Sequence, residues 1–245
     1  LYAIAGPGGG PVWSEQGLLD APVYALPYRD IRAIVSAIPA EAVEATAANV
    51  LRHEQVIESL MIRCALLPVR FGTLLAGEER LQALLAARYE DFTRNLARVA
   101  GKVEMGVRVL WKSSFGESDR PAAGIESDGP GPGGADRAGY RYLMARLAEH
   151  RLETARQAEA ERVAAVLDAA LAAYSVEVRR SLLLTPHLPV SLACLVPRES
   201  VTAFRAEVER LRTRLSQYSF LSSGPWPPYK FGGGPAGDGR CWTSA

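Results

Sequence analysis

The chain has 245 residues, of which 48% are hydrophobic and 22% are charged. This composition excludes wholesale disorder, and the length allows one large domain or two small ones. Lys and Arg number 28 against 27 Asp and Glu, so bulk charge predicts no nucleic-acid partner and no anionic membrane surface.

Cysteine usage and the apolar runs indicate a soluble, cytoplasmic protein. Cys64, Cys194 and Cys241 are an odd number and lie far apart, which fits neither a disulfide framework nor a zinc motif. A reducing environment is the simplest interpretation. The most apolar run, residues 182–196, contains Pro186 and Pro189 and therefore cannot form a membrane-spanning helix.

The first hundred residues predict a small α+β domain. Residues 23–26 and 31–37 are β-rich and flank a Pro/Asp turn, which predicts a hairpin. Apolar residues recur at steps of three and four over 43–64, the period of a helix. Residues 66–73 fit an edge strand or an extended connector, because the early Pro68 cannot donate a ladder hydrogen bond.

A second helical pattern spans residues 81–99, and Gly101 stands where a left-handed residue commonly ends a helix. We place a domain boundary there, between an N-terminal domain of residues 1–100 and a second domain of residues 101–231. Strict alternation over 103–111 predicts a half-buried strand. Residues 113–136 are rich in Gly and Pro and predict a flexible loop.

The second domain continues with a long helix over 136–174, two strands over 176–184 and 190–196, a helix over 201–215 and a strand over 217–222. The middle of the long helix, residues 156–162, is polar nearly all round, so its two ends are expected to pack. The order β-α-β-β-α-β predicts a ferredoxin-like, four-stranded antiparallel sheet. The fold class is therefore α+β with two domains, followed by a disordered tail over 232–245.

Each candidate catalytic or metal-binding motif in the sequence lacks a residue or a structural context that the motif requires. His53-Glu54 begins like the zinc-binding H-E-x-x-H helix, but Ile57 occupies the position of the second ligand. His53 is therefore expected to serve as a structural, hydrogen-bonded residue. Residues 129–134 match G-x-G-x-x-G, but the nearest strand ends near Trp111, too far for a phosphate-binding turn. The sequence thus predicts no active site, no metal and no cofactor.

Two local features stand out from this background. Arg70 lies among apolar residues, where a buried charge needs a partner, and Glu54 on the preceding helix is available as one. The alternative is a binding site at Arg70. The second feature, residues 226–231, presents three aromatic rings between prolines. Its favoured interpretation is a segment that folds back onto the core, and the alternative is an exposed partner surface.

These segments also carry a resemblance to a known family. They read L-P-V-R-F-G-T at 67–73, K-V-E-M-G-V-R-V at 102–109, Tyr142-Leu143 on the long helix, and G-P-W-P-P-Y-K-F at 224–231. In this combination the chain resembles the gas vesicle protein GvpL/GvpF family. His53 also stands where that family usually carries a histidine ahead of the L-P-x-R-F-G-T segment.

The resemblance implies a non-enzymatic accessory or minor structural protein of gas vesicles, cytoplasmic and vesicle-associated. Such a protein would bind the hydrophobic shell protein and other accessory proteins, and would assist nucleation and assembly. We expect the interface to involve the aromatic ending, Trp226, Tyr229 and Phe231, with Arg70 and His53 supporting the contacts between elements. A permanent shell component and a transient helper both remain open, as does a ferredoxin-like ligand sensor or generic interaction module.

Overall fold

The computed structural model describes residues 1–7, 16–112, 134–182, 187 and 189–233, with backbone alone over 134–139. The strands in this part of the chain are β1 (Ala3–Ala5), β2 (Tyr24–Tyr28), β3 (Ile31–Val35), β4 (Leu66–Pro68), β5 (Lys102–Trp111), β6 (Glu177–Leu182), β7 (Val190–Pro197) and β8 (Tyr218–Trp226). The α-helices are α1 (Ala47–Met61), α2 (Glu78–Ala87), α3 (Tyr89–Val99), α4 (Gly134–Leu171) and α5 (Val201–Arg214). Most of the predicted loop, residues 113–133, and most of the predicted tail, residues 234–245, lie outside the described residues.

The N-terminal sheet has the antiparallel order β2-β3-β1-β4. Its hairpin is confirmed, because β2 and β3 pair with Tyr28 opposite Ile31 across a turn at Arg29 and Asp30. Strand β4 lies at the edge of the sheet, as its proline predicted. Helix α1 packs on one face of this sheet, where Ile34 of β3 shares an apolar cluster with Ile57.

Two helix boundaries differ from the predictions. The first helix begins at Ala47 and not near residue 43, because Thr46 caps it by accepting a hydrogen bond from the Asn49 amide at 3.2 Å. The second predicted helix is two helices, α2 and α3, separated at Arg88 with φ −119° and ψ 18°. Both halves direct their apolar side chains into one cluster, so the periodic pattern does not reveal the break.

The C-terminal sheet has the antiparallel order β6-β7-β5-β8. With α4 after β5 and α5 after β7, this is the predicted ferredoxin-like arrangement. Alternate residues of β5 are buried against the two helices, since successive side chains of a strand point to opposite faces. These buried β5 residues are Val103, Met105, Val107 and Val109.

The second face of the C-terminal sheet packs toward the N-terminal half of the chain. Leu195 of β7 shares an apolar cluster with Phe92 and Leu96 of α3 and with Leu67 of β4. Gly101, at φ +69°, ends the α3 region in the left-handed conformation that favours glycine. The two sheets divide at this glycine along the chain, yet they share a core through α3. The division into domains 1–100 and 101–231 stays a prediction.

Helix α4 is much longer than the sheet beneath it. Its 38 residues extend about 57 Å, against about 33 Å for a ten-residue strand. Among its described side chains only those toward the C-terminal end are buried, so the expected packing of the other end is absent over residues 140–158. We call residues 140–158 the arm, since they are exposed or half-buried throughout. The buried residues of α4 are Ala160, Val163, Ala164, Leu167 and Leu171.

Candidate partner-binding site

The aromatic ending of the chain divides between surface and core. We call residues 224–233 the C-terminal segment. Trp226, at the end of β8, is 45% exposed, whereas Phe231 is 0% exposed. Phe231 lies in the apolar cluster that joins both sheets through α3. The favoured interpretation, a segment that folds back onto the core, therefore holds for Phe231, and Trp226 remains at the surface.

Tyr229 ties the C-terminal segment to the N-terminal sheet. Its hydroxyl donates a hydrogen bond to Oε1 of Glu54 on α1 at 2.8 Å. Burial first, and the Glu54 carboxylate second, raise the pKa of Tyr229. The hydroxyl therefore keeps its proton at neutral pH and acts as a donor.

Two further contacts hold the same segment to the C-terminal half. The Lys230 amide donates to Oε2 of Glu104 on β5 at 2.8 Å. Burial raises the pKa of Glu104, and the Lys230 hydrogen bond opposes that rise. The guanidinium carbon of Arg179 on β6 lies 5.1 Å from the centroid of the Phe231 ring, within the range of a cation–π contact.

Arg98 of α3 binds the end of the C-terminal segment. Its Nη2 donates to the carbonyl oxygens of Phe231 and Gly233. Its Nη1 lies 3.5 Å from Glu177 of β6. One guanidinium thus joins α3, β6 and the C-terminal segment, so residues 229–233 form a structural link between the two sheets.

His53 is a buried structural residue, as its failed zinc motif predicted. Nε2 of His53 donates to the Val69 carbonyl at 2.8 Å, since a carbonyl can only accept. Its ring stacks on Tyr2 and meets Phe71 edge-on, at centroid distances of 5.2 and 5.7 Å. Burial lowers the pKa of His53, so the ring is neutral at pH 7. Among the described residues no group of three or more His, Cys, Asp or Glu side chains is placed to hold a metal.

The predicted Arg70–Glu54 ion pair is wrong. Arg70 is exposed, so its charge is solvated and does not need a buried partner. The carboxylate of Glu54 instead accepts the Tyr229 hydroxyl, and the ion pairs of the described residues do not join it to Arg70. Arg70 follows the edge strand β4. Its apolar neighbours in the sequence therefore did not show whether its side chain is buried.

A cavity of about 320 Å³ lies beside His53, between the N-terminal sheet and the start of α2. Most of its lining side chains, including Leu26, Val35 and Leu81, are apolar. Its Tyr2 hydroxyl is already bound, to Ser36 and to the Leu18 amide. The Tyr2 hydroxyl is therefore not free to orient a small ligand in this cavity.

The exposed apolar surface next to Trp226 is the edge strand β8. Leu221 is 55% exposed, and the nine residues of β8 include none with a charged side chain. Two arginines of α5 donate to its carbonyls, Arg205 to Gly224 at 2.8 Å and Arg212 to Phe220 at 2.9 Å. Sequence reasoning missed Leu221, although the alternation of buried Tyr218 and Phe220 with their neighbours marks it as outward-facing.

The other sheet edges are less suited to a partner strand. The opposite edge of the same sheet, β6, carries Glu177, Arg179 and Arg180. In the N-terminal sheet, β2 contains Pro27, and β4 is three residues long and ends in Pro68. Charges, prolines and short length are the features that protect exposed strand edges from pairing. Strand β8 also contains a proline, Pro225, but near its end, so residues 218–224 form the longest edge stretch of the described strands without a charge or a proline.

None of the described helices has an apolar stretch long enough to cross a membrane. The two antiparallel sheets and the ferredoxin-like half define a two-sheet α+β protein in which Leu221 and Trp226 are exposed along the edge strand β8. The model of the family described as gas vesicle synthesis protein GvpL/GvpF matches residues 1–232. The chain therefore belongs to the GvpL/GvpF family, and its function lies in gas vesicles.

Relatives and solved structures agree with this assignment. Gas vesicle protein F2 of Halobacterium salinarum is 25% identical over 211 residues, which cover 85% of this chain and 79% of the relative. Gas vesicle protein F of a Streptomyces species is 27% identical over 219 residues, covering 86% and 87%. The crystal structure of GvpF from an Anabaena species matches with a TM-score of 0.74 at 22% identity, over 95% of this chain and 96% of that one. The structural match supports the fold.

Proposed function

We propose that this protein binds the hydrophobic shell protein of the gas vesicle in the cytoplasm and assists nucleation and assembly, without catalysing a reaction. The observation that carries the proposal is the uncharged β8 edge, with Leu221 and Trp226 exposed along it. A shell subunit with an apolar face exposes that face before assembly, and such a face aggregates unless it is covered. A partner that covers it transiently would keep the subunit available.

The chemistry of β8 fits an extended apolar segment of the shell protein. A partner strand gains affinity from main-chain hydrogen bonds along a sheet edge and specificity from alternate side chains. The Arg205 and Arg212 side chains bound to β8 carbonyls are themselves exposed, so they can move aside. Leu221 and Trp226 then supply apolar contacts beside the new strand.

The other expected residues have supporting roles in this proposal. Tyr229 and Phe231 hold the end of β8 against both sheets, and so fix the position of Trp226. His53 fixes the chain at Val69, directly before the exposed Arg70. Arg70 is thereby available at the surface to a partner, including other gas vesicle accessory proteins.

The test is co-expression of this protein with the major gas vesicle shell protein, followed by size-exclusion chromatography. We expect a soluble complex with the wild type and aggregation of the shell protein alone. The double variant Leu221→Ser with Trp226→Ala should weaken binding by about tenfold or more, because central apolar contacts dominate interface energies. The matched control is Val176→Ala, which alters an apolar side chain that is 58% exposed near the opposite sheet edge.

Two results would overturn the proposal at different levels. Full binding by the folded double variant would reject the β8 surface. No association of the wild type with the shell protein would reject the function itself, and a melting temperature that rises with a metabolite would then favour a ligand sensor.

Washing of isolated vesicles distinguishes the two forms of the proposed role. Retention of the protein in washed vesicles would identify a permanent shell component, and its loss on washing would identify a transient helper.

A further inference from the structure

The arm of α4 carries a stripe of large apolar side chains in solvent. Tyr140 and Leu143 are 64% and 56% exposed, and Met144 and Leu147 are 45% and 42% exposed. Their spacing of i, i+3, i+4 and i+7 places the four on one face of a helix. Apolar side chains scattered singly on a surface are ordinary, but a contiguous stripe marks an interaction site.

Charges are arranged asymmetrically around this stripe. At about 100° per residue, Arg151 falls within the apolar face, and Arg141 and Arg146 fall about 60° beyond its two edges. Glu149 and Glu153 fall on the opposite face, together with Arg156. Nη1 of Arg146 lies 3.9 Å from Glu149, on the polar side of the helix. One arginine therefore lies within the stripe and one on each side of it, and the carboxylates lie behind it.

This arrangement favours a protein partner over a lipid surface. Helices that lie on anionic membranes carry Lys and Arg across their polar face, whereas the polar face of the arm mixes Arg156 with Glu149 and Glu153. A projecting helix is also marginally stable in water without a packing partner. A second helix that covers the stripe would supply that packing.

We propose that the arm binds an amphipathic helix of a partner protein, whose apolar stripe is bordered by carboxylates. Tyr140, Leu143, Met144 and Leu147 supply the apolar contacts, and Arg141 and Arg151 pair with the carboxylates of the partner. This surface lies on α4 and is separate from the β8 edge, so it provides a second binding site that does not depend on the first. Because the stripe covers two helical turns, the affinity is modest, with a Kd of about micromolar magnitude.

The probe is a synthetic helical peptide of about 20 residues with a leucine stripe bordered by glutamates. A second peptide has lysines at the same positions. Fluorescence anisotropy measures the binding of each peptide to the full-length protein. We expect saturable binding of the glutamate peptide and at least about tenfold weaker binding of the lysine peptide, because like charges are brought together in that complex.

Two tyrosines provide a matched pair of variants. Tyr140→Ala removes an exposed ring from the apolar stripe, and Tyr142→Ala removes a ring that is 66% exposed on the opposite face. Tyr140→Ala should weaken binding of the glutamate peptide by about fivefold or more, and Tyr142→Ala should not change it. The double variant Arg141→Glu with Arg151→Glu should reverse the preference toward the lysine peptide. Circular dichroism and the melting temperature should be unchanged in all of these variants.

Several outcomes would overturn the proposal. These are no binding of the glutamate peptide by the wild type, and equal effects of Tyr140→Ala and Tyr142→Ala. Binding of phosphatidylglycerol vesicles without binding of the peptide would identify a lipid surface. Self-association of the wild type that Tyr140→Ala abolishes would identify a second copy of the chain as the occupant. The Leu221→Ser with Trp226→Ala variant should bind the peptide normally, which separates this site from the β8 edge.

Discussion

The C-terminal segment and the arm of α4 are both rich in aromatic and apolar residues, but the fold buries part of the first and leaves the second in solvent. Phe231 is completely buried, and Tyr229 is hydrogen-bonded to α1. The exposed aromatic rings of the arm, Tyr140 and Tyr142, lie beyond the sheet that buries the end of the same helix. The difference depends on whether another element is within reach, because apolar side chains are buried only where a second surface can cover them.

The comparison therefore distinguishes apolar residues that stabilise the fold from apolar residues that remain available to a partner. Within the C-terminal segment itself the distinction falls between Trp226 and Tyr229, three residues apart. Substitutions on the two sides of this division should separate stability from binding.

The largest expected effect is on stability, from Phe231→Ala. Removing this buried ring leaves a cavity between the two sheets and should lower the free energy of unfolding by about 3–5 kcal/mol. Trp226→Ala, at a half-exposed position, should lower it by less than about 1 kcal/mol. Urea denaturation of both variants measures the difference. Similar losses of unfolding free energy in the two variants would contradict the division between buried and exposed residues within the C-terminal segment.

Tyr229→Phe should have an intermediate effect. It keeps the ring and removes the hydrogen bond to Glu54, which is expected to cost about 1–2 kcal/mol in the free energy of unfolding. Tyr140→Phe, which removes a hydroxyl from the exposed arm, is the control and should change nothing. A double-mutant cycle with Glu54→Ala, which removes the acceptor, measures the coupling, and additive effects would show that the Tyr229 to Glu54 hydrogen bond contributes no stability.

The smallest expected effect is a pH dependence from His53. Burial lowers the pKa of His53 in the folded protein, so the unfolded chain binds a proton at higher pH than the folded one. Stability should therefore fall as the pH falls through the ordinary histidine range, near about 6.5. Glu104, whose pKa burial raises, acts in the opposite direction, because its protonation favours the folded state.

Melting temperatures of the wild type and His53→Gln between about pH 7.5 and pH 5.5 isolate the histidine contribution from that of Glu104. Glutamine can still donate to the Val69 carbonyl but does not titrate. The wild type should lose stability relative to the variant as the pH falls. A constant difference across this range would mean that His53 titrates alike in the folded and unfolded chain.

Local patterns predicted most of the fold. The hairpin of β2 and β3 has a turn with the right residues, and β5 alternates strictly between apolar and polar side chains. The order of elements after Gly101 was sufficient to predict the ferredoxin-like half, since few topologies accommodate β-α-β-β-α-β. The break at Arg88 was not predictable, because α2 and α3 continue one apolar period across it.

The candidate site was predictable only in part, because its contacts join residues that are far apart in sequence. The aromatic ending was recognisable from its amino-acid sequence. An exposed partner surface, as found for Trp226, was one of the two interpretations of this segment. The Tyr229 to Glu54 hydrogen bond spans 175 positions, and no local pattern links the two residues. The exposure of Arg70 was misjudged for a similar reason, since burial depends on which elements pack over a strand.

By itself, the sequence of this protein determined most of its secondary-structure elements, its α+β class and its resemblance to the GvpL/GvpF family. All three depend on residue spacing and on short motifs, which act over a few neighbouring positions. The tertiary structure alone decided which apolar residues are covered. It buried Phe231 between two sheets and left Leu221, Trp226 and the stripe of the arm in solvent, because burial depends on contacts between elements distant in the chain.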